Sequence, residues 1–527
     1  MRRVCLAAAA VSVALAAAAL AVTGQAVTRQ AGPRQDGAAA AGPRPAAAGK
    51  AARPVVVLHP GALHAVFTPS TAPLSTARCK ARFRIACYQP AQIQAAYGLL
   101  KLYASGFTGS GQTIVVVDSF GSPTLRHDLS VFDQRFGLVA PPALRVIHPD
   151  GPVPAYDPHN TGMVGWAGET DLDVEYAHVI APDANIVVAA TPTAENEGTS
   201  GFPQIVRAEN YVIAHHLGGV ISQSFSATEN SFPTHRSLLA LRSAYTNAAR
   251  HQVTVLAASG DSGAAGVGPN GSTYYLHPVA SWPGTDPLVT AVGGTRLQLT
   301  SAGHRSAPDT AWNDTYSKPA QRYINGSAGP APLATGGGTS SVFARPGYQN
   351  AMAKLVGGHR GVPDISMSAS CDGAVDMYQS FRGQRAGWYP TCGTSEATPM
   401  FAGIVALAGQ VAGHPLGPIN PALYTMSARH DPGIVAVTRG SNTVSFRQHG
   451  QRHTVQGFRS RPGYSLATGV GTIYAPDFVP ELAGLAGHTG PADSAAPPAH
   501  PALPAHPARP AHTARPVQLE QLAGPPV

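Results

Sequence analysis

Outside its first two dozen residues, this chain of 527 residues has no apolar run long enough to cross a bilayer, which excludes a polytopic membrane protein. It has no CxxC motif and no close pairing of cysteine with histidine, which argues against zinc binding as the use of its cysteines. The formal net charge of +8 is scattered, much of it as Arg among Ala and Pro near the two ends, and no basic stripe with interleaved aromatics is present. That pattern argues against a nucleic-acid partner and for a slightly basic, solvated surface.

The content of 44% hydrophobic residues suffices for a sizeable core. Residues 1–26 read as a secretory signal peptide: Arg2 and Arg3, an Ala/Val/Leu run from Leu6 to Val22, and small residues at Gly24 to Ala26 for cleavage. An uncleaved anchor is the competing reading, but the run is short and Ala-rich. The expectation is a secreted, extracellular monomer with no stable membrane association after cleavage. Residues 27–77 form an Ala/Pro-rich leader that cannot bury enough surface to fold alone. Residues 487–527 return to that composition, with His488, His500, His506 and His512 among prolines, and read as a disordered tail. The folded domain is expected between them, over 78–486. Export would remove Cys5 and leave four cysteines, an even number suited to disulfides, with Cys79–Cys87 and Cys371–Cys392 as the expected pairs.

Within the domain, apolar β-branched runs recur at Thr113 to Val117, Asn185 to Ala189, Gly219 to Ser222, Val253 to Ala257 and Leu288 to Val292, with helical stretches at Ala208 to Leu217 and Arg236 to His251. Such alternation argues an α/β fold: a mainly parallel sheet flanked by helices on both faces. Ligands in that architecture meet the carboxyl ends of the strands. Asp118, the Ser222-Gln223-Ser224-Phe225 segment and Gly260-Asp261 all follow strands.

The stretch CGTSEATPMFAGIVAL, Cys392 to Leu407, presents Ser395 on a glycine-led turn before a long apolar helix. Backbone N–H groups there lack intrahelical partners and can receive an oxyanion, with the helix dipole in support. An ordinary serine near an N-cap has the same local pattern, so the base decides. The histidine helix start of many serine hydrolases is missing, although the chain has 21 histidines.

Instead, GETDLDVEYAHVIAP, Gly168 to Pro182, carries Glu169 and Asp173 at i and i+4, and Asp171 and Glu175 likewise. At 100° per residue, Leu172, Tyr176, Val179 and Ile180 form an apolar stripe with Glu169 and Asp173 at one margin, partly buried, and Asp171 and Glu175 beyond the other, solvated. Like charges at i,i+4 cost a helix roughly 0.2–0.5 kcal/mol, and burial adds desolvation, so the first pair breaks a folding rule in the way functional groups do. A third carboxylate, Asp261 in VTVLAASGDSGAAG, follows a buried strand and a glycine turn. It is either a turn residue or, if protonated, an oxyanion donor.

Taken together these motifs resemble the sedolisin family, the serine-carboxyl peptidases of subtilisin-like fold, over about Cys87 to Leu482. TAVGGT at Thr290 to Thr295, GGGTSSVFARPGYQ at Gly336 to Gln349 and VPDISM at Val362 to Met367 add to the likeness. The resemblance implies an acid endopeptidase acting on peptides or unfolded protein through an acyl-enzyme: Ser395 as nucleophile, Glu169 as base and then acid, Asp173 as its orienting partner, and Asp261 as oxyanion donor. The family's further glutamate after the first strand is Asp118 here, and its tryptophan after the Ser-x-Ser strand is Phe225; both are supporting positions. The family also binds calcium near the C-terminus, but Ala436 and Ser465 replace both aspartates, so that site is expected to be lost or weakened. A large folded propeptide is common in the family, and the leader is too short and polar to form one. Two other readings stand beside this one: an inactive peptidase-fold protein that binds peptides or surfaces, and subtilisin-like hydrolysis, suggested by VVVDSFGSPTLRHDL at Val115 to Leu129.

Overall fold

A computed structural model of the chain describes residues 69–325 and 330–486. The expected signal peptide, most of the expected leader, Cys5 and the histidine-bearing tail lie outside the described residues. The described residues belong to one unit, Val55–Val527. Ser70 pairs with Trp388, and a helix starts at Thr76, ahead of residue 78.

The apolar runs become strands because nearly every side chain on them is covered. β1 (Thr113–Ser119), β2 (Leu144–Ile147), β3 (Asn185–Thr191), β4 (Val220–Gln223), β5 (Thr254–Ala258), β6 (Thr290–Arg296), β7 (Thr310–Ala311) and β8 (Ile365–Ser368) make an eight-stranded sheet in the order β7-β6-β5-β4-β1-β3-β2, with β8 also on β6. All pairs are parallel except β7 with β6. The unbroken Val and Ile content of β1, β3 and β5 fits strands buried on both faces.

The helices that cover the sheet are α1 (Leu125–Phe136), α2 (Thr161–Ile180), α3 (Phe202–Ala214), α4 (His235–Leu239), α5 (Ser243–Arg250), α6 (Thr394–Ala412) and α7 (Ala475–Leu485). The helix expected over Arg236 to His251 is two helices. Leu241 N–H bonds the Leu238 carbonyl, tightening the turn, and Arg242 is anchored by both oxygens of Asp286.

The acidic helix is also longer than its motif. α2 runs for 20 residues from an Asn160 cap, whose Oδ1 accepts the Gly162 and Met163 N–H groups. Asp171 and Glu175, expected on a solvated margin, are buried at 1% exposure each. The amphipathic pattern misleads because α2 is packed on all sides: α6 covers one face, and α1 and the strand Ala374–Gln379, one arm of a hairpin with Gly387–Thr391, another. α2 and α6 approach so closely that a Cβ at Gly403 would lie 2.5 Å from the Ile180 Cβ. Only glycine permits that contact.

Both expected disulfides are present. Cys79–Cys87 and Cys371–Cys392 join Cα atoms 5.9 and 4.9 Å apart, and the second ties the chain just ahead of α6 to the loop after β8.

Candidate active site

Four chain segments bring the expected residues to the carboxyl edge of the sheet. Ser395 lies in the first turn of α6, introduced by Gly393 at φ 127°, where the backbone N–H groups have no intrahelical acceptor. Its hydroxyl is 3.4 Å from the Ser224 carbonyl, just past the end of β4. Ser224 turns its own hydroxyl the other way, donating to Asp173 Oδ1 at 2.7 Å and approaching the Ser395 carbonyl at 3.4 Å. One side chain thereby links the acidic helix to the serine helix. The Ser-x-Ser strand end was visible in sequence, but this bridging role was not.

Asp261, beyond β5, is partly exposed. Its Oδ1 accepts both the backbone N–H of Thr394 at 2.8 Å and the Thr394 hydroxyl at 2.7 Å. Oδ2 is left as the oxygen to carry a proton. Burial raises the Asp261 pKa above the ordinary carboxylate value, opposed by the two Thr394 bonds. Ser395, Thr394, Ser224, Phe225 and Asp261 line one cleft.

Glu169 and Asp173 are both buried, and Asp118 at the end of β1 is fully buried beside them. Burial pushes Asp118 up to about 7. Asp173 is raised well above the ordinary value by burial, then by the charges of Asp118 and Glu169, with the Ser224 bond opposing. Asp118 and Asp173 share this dry neighbourhood with Glu169, and both hold their protons above the ordinary carboxylate range. Phe225 fills the expected tryptophan position as a purely apolar wall, its ring 6.2 Å from Trp166 and 6.0 Å from Phe202.

A second group of acids, made of Asp171 and Glu175 with Asp128, sits on the far side of α2. Asp128 accepts the Thr124 hydroxyl and the Ser380 N–H, while burial and the Asp128 charge raise Asp171 well above its ordinary value. Glu175 is raised by burial and by Asp171, against the Tyr378 N–H it accepts. The Arg-His-Asp-Leu stretch was read only as a subtilisin-like aspartate segment; Asp128 instead serves this group.

Near the C-terminus, Ala436 contributes no side-chain oxygen, and Ser465 Oγ accepts the Thr468 N–H at 3.1 Å and shares a hydrogen bond with the Thr468 hydroxyl. Neutral hydroxyls bonded to each other do not fit a calcium ion, which takes several oxygens including carboxylates. Among the described residues no group of three or more His, Cys, Asp or Glu side chains is arranged to hold a metal. Among them, too, no helix is long and apolar enough to cross a membrane.

The model of the Subtilase family, Peptidase_S8, matches residues 131–431. Kumamolisin of Bacillus sp. (strain MN-32) is 31% identical over 395 residues, 73% of this chain and 62% of its own. The chain belongs to the subtilase family, on its sedolisin branch. Among other relatives of this sedolisin-branch chain, human tripeptidyl-peptidase 1 is 29% identical over 60% of this chain and 52% of its own length. A solved structure of Pseudomonas sedolisin, a serine-carboxyl proteinase complexed with two molecules of pseudo-iodotyrostatin, matches with TM-score 0.61 and 24% identity, covering 75% of this chain and 97% of that one. That likeness shows the subtilisin-like fold. The matched part of the chain spans only about half to three fifths of the curated relatives' length.

Proposed function

We propose that this sedolisin-branch chain is an exported serine-carboxyl endopeptidase that hydrolyses peptides or unfolded protein in acid. The observation that carries the reading is the Ser224 link, which couples Asp173 on α2 to the Ser395 turn while Ser395 and Asp261 share a cleft. Ser395 Oγ attacks the scissile carbonyl and gives its proton to Glu169, held in orientation by Asp173. The oxyanion accepts hydrogen bonds from protonated Asp261 and from the backbone N–H of Ser395. Glu169 then protonates the leaving amine, and water cleaves the acyl-enzyme through the same groups in reverse.

The assignment fixes a pH dependence. Glu169 must be ionised to accept a proton, whereas Asp261 must keep its own, and burial raises the Asp261 pKa. Activity therefore falls as pH rises through that value. Asp261→Asn donates at every pH and is expected to move the alkaline limb of kcat/KM upward, at reduced maximal rate; an unmoved limb excludes Asp261 as the titrating group. The test of the function is digestion of a denatured protein across pH 3–8 by wild type and Ser395→Ala, with the products sequenced. Absence of serine-dependent cleavage would favour the alternative of a peptide-binding protein, to which the altered calcium positions also point.

We further propose that the family calcium site is lost, since Ala436 and the hydroxyl-bonded Ser465 leave an ion without carboxylate ligands. Titration of calcium into the chelator-treated protein is expected to give no binding heat and to leave Tm unchanged within about 1 °C, because only an ion that binds the folded state shifts it. Micromolar binding would refute this.

A further inference from the structure

The cleft that holds Ser395 also holds a carboxylate that the proposed reaction does not use. Glu197 follows β3 in the segment Thr193–Gly198 and lines the same cleft. Its Oε2 accepts the Thr228 N–H at 2.9 Å, and the next residue's N–H bonds the Ser231 hydroxyl at 2.9 Å, which itself donates to the Thr228 carbonyl at 2.7 Å. Two bonds thus staple the Glu197 loop to the segment that leads away from Ser224, and the third holds Ser231 in place within it. From Ser224 to Thr228 is four residues, at most about 14 Å along the chain.

The charge at this end of the cleft is unmatched. Glu195, two residues earlier, is buried, and among the described residues neither Glu195 nor Glu197 forms an ion pair. No Lys, Arg or His lines the cleft. Burial holds the Glu197 carboxyl up at about 8, against the Ser231 and Thr228 bonds, as befits an acid short of a counter-charge. Val267 and Val279 line the same cleft and offer apolar surface, suited to the aliphatic stem of a long side chain.

We propose that Glu197 is a specificity-determining residue, and that the side chain flanking the attacked carbonyl in the preferred substrate is a long cationic one, arginine or lysine. This rests on the peptidase reading above. A neutral aliphatic side chain would leave the carboxyl with only its Thr228 and Ser231 bonds and no counter-charge, whereas a guanidinium or ammonium adds donors and the positive charge that lets Glu197 release its proton and pair.

The test uses matched fluorogenic peptides with Arg, Lys, Gln, Tyr or Leu at that position, assayed with the full chain. The expected result is kcat/KM at least tenfold higher for Arg and Lys than for Leu, with the ratio falling below about threefold in Glu197→Gln, which keeps size and shape. Equal or better cleavage of the Leu, Gln or Tyr peptide, or an Arg preference that survives Glu197→Gln, overturns the proposal. A second measurement does not depend on turnover: fluorescence anisotropy of the same peptides on Ser395→Ala, where the Arg peptide is expected to bind about tenfold tighter than the Leu peptide, and no tighter on S395A/E197Q. If no peptide is cleaved in a Ser395-dependent way, the peptidase reading fails, and the binding ratio still decides the role of Glu197.

Discussion

Ser395→Ala is expected to lower peptide hydrolysis in acid by at least about 10⁴-fold, and Glu169→Gln by a similar factor, because removing either member of a nucleophile–base unit removes the unit. Asp173→Asn acts only through Glu169 and is expected to cost less, about 10²–10⁴-fold. The decisive observation is non-additivity: S395A/E169Q should be no slower than Ser395→Ala alone. Both substitutions are near-isosteric, so thermal melts of the variants should match wild type within a few degrees, separating lost chemistry from lost fold. Cleavage that persists through Ser395→Ala would end the serine-carboxyl assignment, and additive losses would separate Glu169 from Ser395.

The second large effect concerns stability. Asp118, Asp171, Asp173 and Glu175 all have pKa values raised in the fold by burial first, with the charge of Asp128 adding to it at Asp171, of Asp118 and Glu169 at Asp173, and of Asp171 at Glu175. A carboxyl whose folded pKa is raised binds a proton in the native state at pH values where the unfolded chain has released it. Its contribution is fully present below the unfolded value, about 4, and is lost as pH rises through the folded value. For Asp118 the window runs from about 4 to about 7. Each such group lowers stability by about 1.4 kcal/mol per pH unit inside its window. Tm is therefore expected to be highest near pH 4 and to fall steeply towards pH 7. Asp171→Asn cannot titrate and should flatten part of that slope while leaving Ser395 chemistry in place. A Tm that is level or rising between pH 4 and 7 would show that the cluster is compensated elsewhere.

Much of this was legible in the chain because it depends on local pattern. The strands β1, β3 and β5 announce themselves as continuous Val/Ile runs, and Ser395 as a glycine-led helix start. The pairing of Glu169 with Asp173 was legible because their spacing offends a helix rule. Asp171 and Glu175 were misplaced for a related reason: a helical wheel supposes one buried face, and α2 has no exposed face left after α1, α6 and the hairpin have packed on it. Glu197 and Asp128 were overlooked because their meaning is long-range. Nothing near TPTAENEG or LRHDL in sequence says that Thr228, Ser231 or Ser380 will meet them. The break between α4 and α5 likewise follows from Arg242 reaching Asp286, 44 residues away.

The contact at Gly403 makes mutational tolerance in this protein a poor guide to distance from the reaction. Gly403 is deep in α6, eight residues from Ser395 by position, and touches no substrate, yet a single methyl there would have to displace Ile180 on the helix that carries Glu169 and Asp173. A shift of an ångström between reacting groups can cost about 10²-fold in rate. A change as mild as glycine to alanine would thus be read as an inactivating lesion in a screen for activity and pass nearly unnoticed in a screen for secondary structure.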